Sequence, residues 1–158
     1  MGHWSLAHLA RANDQWKSMT EREALVIFQG PHAYITPTWY STHPSVPTWN
    51  YAVVHAYGRP AIIEDLTVLE GMVTALVEQH ETGHDPAWVM AYPADYMEKM
   101  LKGIVGFELE ITRLEGKYKL SQNRSEADQA QMMTGLAESA YAEERATGDL
   151  MRGRVTKG

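Results

Sequence analysis

Residues 48–58 read TWNYAVVHAYG. Thr48, Asn50, Ala52, Val54 and Ala56 fall on one side of an extended chain; Trp49, Tyr51, Val53, His55 and Tyr57 fall on the other. A repeat of two belongs to a strand with distinct faces, whereas a helix repeats roughly every 3.6 residues. IVGFELEITRL (104–114) has the same pattern, with Phe107, Leu109 and Ile111 inward and Glu108, Glu110 and Thr112 outward. Shorter strands surround these two. ALVIF (24–28) is a continuous apolar run stopped by Gly30-Pro31, the form of a buried strand, and HAYIT (32–36) follows as its neighbour. PAII (60–63) makes a further short strand, Glu115-Gly116 turns the chain into KYKL (117–120), and WSLAHLARA (4–12) mixes alternation with polar residues.

The helical signals are fewer. Asn13-Asp14 opens a short helix through Met19. Thr67 to Glu81 is helical: Thr67-x-x-Glu70 supplies a capping box, and Leu66, Leu69, Met72, Val73, Leu76 and Val77 form one apolar stripe. Tyr96-Met97 with Met100-Leu101 gives another short helix. Ser125-x-x-Asp128 caps a last one, whose buried stripe is Met133, Leu136, Ala140 and Tyr141. The regular strand–helix alternation of a doubly wound sheet is missing. The elements predict an α+β fold, an antiparallel, barrel-like sheet with peripheral helices.

A chain of 158 residues suits one domain, taken as 1–147, followed by a flexible basic tail over 148–158 that carries Arg152, Arg154 and Lys157. The absence of cysteine excludes disulfides, thiolate-bound metals and thiol catalysis, and fits a reducing cytoplasm. A formal charge of −6 argues against a surface-wide field for nucleic acid. No apolar run reaches membrane-spanning length, and the first residues show no basic-then-apolar signal pattern. Five Trp and eight Tyr against two Phe favour half-buried surfaces and pockets over a dry core.

HETGH (80–84) fits the H-E-x-x-H zinc pattern, which needs both histidines on one helical face. Gly83 interrupts it and Asp85-Pro86 follows directly, so the helix is expected to stop between them. His80 then sits in a last turn, His84 in a loop, and no metal site is assigned.

Taken together, FQGPHAYITPTWY (28–40), VPTWNYAVVHAYG (46–58) and IVGFELEI…GKYKLSQNR (104–124), with AHLARANDQW (7–16) ahead of them, resemble the PaiB-type family of FMN-binding negative transcriptional regulators. The blocks stand in the family's order and the likeness covers nearly all of residues 4–140. It implies a split β-barrel that dimerises and holds FMN near the subunit interface. Family members carry further N-terminal sequence, including the first barrel strands, before AHLARAN. This chain opens at MGHW, N-terminally truncated relative to the family, which puts any flavin contact from that region in doubt.

FMN asks for donors at its phosphate, a wall for its ring and hydrogen bonds to its polar edge. Arg11 with Asn13 is one phosphate candidate, Asn13 opening a helix whose free N–H groups favour an anion; alternatively Arg11 is a surface side chain and Asn13 a plain N-cap. Trp49 and Asn50 begin the long strand on opposite faces, as flavin wall and hydrogen-bond partner, or as core residue and loop anchor. Lys119, Gln122 and Arg124, within the donor-rich KLSQNR, contact phosphate or partner, or else pin a strand–helix corner. His32 reads as a structural histidine. No catalytic constellation, helix-turn-helix or zinc finger is visible. The expected function is therefore an FMN-binding, homodimeric, PaiB-like regulator, with DNA as a partner through that role alone. The alternatives are a flavin-dependent oxidoreductase of the split-barrel superfamily and a flavin-free truncated interaction protein.

Overall fold

The computed structural model of the chain describes residues 4–155. Its elements are β1 (Trp4–Ala10), β2 (Ala24–Ile35), β3 (Thr48–Ile63), α1 (Leu66–Glu81), α2 (Ala94–Leu101), β4 (Ile104–Lys119), α3 (Glu126–Ala137) and α4 (Ala142–Val155). Short 3-10 turns lie at Asp14–Lys17, Met19–Glu21 and Pro37–Trp39. The strands form one sheet in the order β1-β4-β3-β2. The class is the expected α+β, an antiparallel sheet with peripheral helices. The chain divides into two compact units: Met1–Leu25 with Tyr57–Arg113, and Val26–Ala56 with Leu114–Gly158.

In the first unit β1 pairs antiparallel with β4, from Trp4 opposite Glu110 to Ala10 opposite Ile104. Two glycines set the packing. A Cβ on Gly58 would stand 2.0 Å from the Glu110 carbonyl oxygen, so β3 and β4 approach as only glycine admits. A Cβ on Gly106 would stand 2.5 Å from Leu69 Cδ2, and this gap seats the one fully buried residue of α1. That helix is capped by Asp65, whose carboxylate accepts the Thr67 and Val68 N–H groups at 2.8 and 3.1 Å. The predicted Thr67 box is therefore displaced by a stronger cap two residues earlier. The helix ends at Glu81, with Gly83 at φ 99°, between the two histidines as the sequence implied.

In the second unit Ala33, Ile35, Tyr40, Leu120, Met132, Leu136 and Met151 form a buried cluster. Ser125 caps α3 as expected, accepting the Asp128 N–H at 3.2 Å. Asp128 in turn accepts the Ser41 N–H and hydroxyl at 2.7 and 2.6 Å, tying the loop after β2 to α3. The Ser41 hydroxyl, then the Ser41 N–H, hold the Asp128 carboxyl below the ordinary aspartate range; Ser125 and the Arg124 charge act the same way.

Several expectations give way. Gly30-Pro31 does not end a strand, because ALVIF and HAYIT are one continuous β2. β2 is an edge of the sheet, where the N–H that proline lacks need not be paired. Nor is ALVIF buried, since Leu25, Ile27 and Phe28 are exposed. PAII continues β3: with Gly30 against Ala52, an antiparallel register carries Pro60 past the start of β2. β4 runs straight through Glu115-Gly116. α3 stops at Ala137, its buried apolar side chains are Met132 and Leu136, and Tyr141 is exposed. Residues 148–155, expected as flexible tail, belong to α4, where Met151 is buried and Gly148 lets Leu136 come within 3.1 Å of where a Cβ would be. Residues 156–158 lie outside the described residues.

Candidate functional site

The strand–helix corner 119–124 carries the densest set of donors. Period two turns Asn50 inward and Trp49 outward at the start of β3. Asn50 is wholly buried: its Oδ1 accepts the Ser121 hydroxyl at 2.9 Å, and its amide donates to the Met151 sulfur at 3.5 Å. Ser121 bears a positive φ of 59°, a left-handed conformation uncommon for a residue with a Cβ. The turn is clasped by Gln122, whose Oε1 accepts the Leu120 N–H at 2.8 Å and whose Nε2 donates to the Tyr118 carbonyl at 2.7 Å.

Two cations project from this corner. Lys119 Nζ donates to Thr48 Oγ1 and, at 2.6 Å, to the Trp49 carbonyl. Both acceptors are neutral. The Arg124 guanidinium lies 4.1 Å from the Tyr40 ring centre. Neither cation has a carboxylate within ion-pair distance among the described residues. Val46, Pro47, Asn50 and Asn123 complete, with these groups, a cavity of about 190 Å³. A cation-bearing recess with neutral walls is chemically suited to a phosphate or other small anion.

Asn50, Lys119, Gln122 and Arg124 thus meet in one place. Trp49 is beside it but not in the core position that was its other reading: its ring is 51% exposed and packs on His32 at 5.6 Å and edge-on against Tyr34 at 6.1 Å. Arg11 and Asn13 lie in the other unit and are engaged locally. Arg11 donates to the Lys102 and Ile104 carbonyls at 3.0 and 3.1 Å and pairs with Glu64 at 3.1 Å. Asn13 Oδ1 accepts the Gln15 N–H at 3.0 Å, capping a turn of four residues.

Sequence reasoning missed Tyr40 beneath Arg124 and Thr48 beneath Lys119. The signal for Thr48 was present, because β3 places it on the Asn50 face; Tyr40 lies after a turn and gave none. The Tyr40 hydroxyl is buried with no hydrogen-bond partner among the described residues.

Residues 3–113 match the family described as "Putative FMN-binding domain". The chain is 37% identical over 158 residues to protease synthase and sporulation protein PAI 2 of Bacillus subtilis (strain 168), covering 98% of this chain and 75% of that protein. It is 35% identical over 161 residues to an uncharacterized protein of Emericella nidulans, covering 82% of this chain and 64% of the relative. Among solved structures, the flavocytochrome Anf3 from Azotobacter vinelandii superposes with a TM-score of 0.53 at 16% identity, over 82% of this chain and 57% of that one. That likeness concerns the fold, the split-barrel class expected above. By the family match and the PAI 2 relationship, the chain belongs to the PaiB-type FMN-binding domain family.

Proposed function

We propose that this chain binds FMN as a homodimer, with Lys119 and Arg124 holding the phosphate, and serves as a PaiB-like negative regulator of transcription. The observation that carries the binding reading is the pair of cations around one recess, neither with a carboxylate within ion-pair distance among the described residues. These residues fit the phosphate end of the cofactor, and bound flavin would supply redox chemistry through its ring. At about 190 Å³ the recess is smaller than the ~300–1,000 Å³ usual for a small-molecule site. The ring therefore needs a further wall, which a second copy of the chain supplies in this reading. The aromatic row of His32, Tyr34 and Trp49, the last two half-exposed, is the surface we assign to that contact. The regulatory role rests on family membership, and a chain without cysteine suits the cytoplasm such a role requires.

The test is a titration of the purified protein with FMN, read by flavin fluorescence, alongside sedimentation to fix the oligomer. Saturable binding by a dimer supports the proposal. Absence of binding, or binding by a monomer, sinks the respective half. Promoter DNA bound in the presence of excess competitor supports regulation; NAD(P)H turnover without such binding favours the oxidoreductase.

A further inference from the structure

A second cavity lies elsewhere, in the first unit, and the flavin reading does not use it. The loop 82–93 leaves the end of α1 through bonds from Thr82 to the Glu78 carbonyl and from the His84 N–H to the Glu81 carbonyl, and farther along the Trp88 N–H donates to the Glu81 carboxylate at 2.8 Å. Between helix and loop is a cavity of about 600 Å³, within the range of small-molecule sites.

Its walls are of two kinds. Val77, Trp88 and Met90 are apolar, and Trp88 presents a half-exposed ring. That ring is braced from outside the cavity by Tyr92 at 5.7 Å, itself stacked on Tyr96 at 4.9 Å. Glu70, Glu78 and Glu81 line the helical side. Positions 70, 77, 78 and 81 share one face of a helix, so the carboxylates and the apolar wall look into the same space. The Glu81 carboxylate is occupied by the Trp88 N–H. The carboxylates of Glu70 and Glu78 have no hydrogen bond or ion pair among the described residues, and no lysine or arginine lines the cavity. His84 also reaches it.

From these walls we infer that the cavity binds a small organic cation, an ammonium group on an apolar body. The ammonium is held by Glu70 and Glu78 and by the face of Trp88; the body rests on Val77 and Met90. An anion, the flavin phosphate included, meets only like charge here. The site is therefore independent of the cofactor corner, and its test stands whether or not FMN binds.

Hexylammonium is a suitable probe, compared with 1-hexanol and hexanoate by calorimetry at about pH 8, where an alkylammonium is still protonated and hexanoate is ionised. The expected result is saturable binding of hexylammonium, weaker binding of hexanol and none of hexanoate, with the affinity falling as salt is added. Glu70→Gln with Glu78→Gln should weaken the ammonium about fivefold or more, and Trp88→Leu should weaken it as well. Both glutamates are exposed, so a melting curve matched to the parent confirms that the doubly changed protein is folded. Equal binding of hexanol and hexylammonium, no binding of hexylammonium, or full affinity in the glutamine variant would each overturn the assignment.

Discussion

The Ser121 hydroxyl donates to Asn50 Oδ1 across 71 positions of sequence, and both residues are buried. This bond joins the first turn of β3 to the corner that follows β4. It holds Ser121 in its left-handed conformation and fixes the base from which Lys119 and Arg124 project. Ser121→Ala leaves the amide oxygen unpaired, and Asn50→Ala leaves the hydroxyl unpaired. Each is expected to cost about 1–3 kcal/mol by urea denaturation. The double change should cost less than the sum, because the second removes a partner already lost. Strict additivity would show that the bond contributes nothing.

Phosphate recognition separates from ring recognition if riboflavin, which lacks the phosphate, is titrated beside FMN. Lys119→Met and Arg124→Gln are each expected to weaken FMN about tenfold or more, the loss of one charge-assisted contact. Riboflavin affinity should be unchanged. Equal losses for both ligands would move the phosphate away from this corner.

Asp128 titrates lower in the folded protein than in the unfolded chain, where its value is about 3.9. Its charged form is the one favoured by folding. Its stabilising contribution is therefore fully present above about pH 4 and is lost as pH falls through the depressed folded value. Melting temperatures of the parent and of Asp128→Asn, followed from neutral to acid pH, should differ most near neutrality and converge in acid. A gap that stays constant with pH would remove the carboxylate from this role.

Tyr40→Phe deletes a buried hydroxyl that lacks a partner among the described residues, while keeping the ring under Arg124. The change should be neutral or stabilise by up to about 1 kcal/mol in chemical denaturation. A clear loss of stability would point to a bound water on that oxygen.

Glycine positions give opposite signs. Gly71 lies within α1 with nothing within 4 Å of a Cβ, and Gly71→Ala should stabilise by about 0.4–1 kcal/mol. Gly58→Ala drives a Cβ into the Glu110 backbone, which cannot rotate away as a side chain can. The expected cost is about 3 kcal/mol or more, seen as a lower melting midpoint or loss of soluble protein.

The alternation at 48–58 and 104–114 made the two long strands legible, because half-buried strands must segregate their faces. Their true lengths were not, because glycine and proline punctuate a sequence in the same way whether the chain turns or merely passes an edge. Pro31 is harmless on β2, and Gly58 serves close packing, yet each reads locally as a stop. The C-terminal residues misled for a related reason. Arg152 and Arg154 sit on the exposed side of α4, and only the fold reveals that Met151, just before them, reaches a core built partly from α3. At the candidate site the donor residues of KLSQNR were visible as a set. What divides cation from clasp, setting Lys119 on neutral oxygens and Arg124 on the Tyr40 ring while Gln122 closes the turn's backbone, depends on partners that no local spacing encodes.

Pro31 has one more consequence. β2 is twelve residues long, forms an edge and exposes Leu25, Ile27 and Phe28. Such a strand is a template on which further chains can stack into fibrils. With no N–H to offer, Pro31 interrupts the template, leaving residues 24–30 on one side and 32–35 on the other. Replacing it with valine would leave the isolated fold little changed and make the concentrated protein prone to amyloid-like growth, visible as thioflavin fluorescence that the parent lacks.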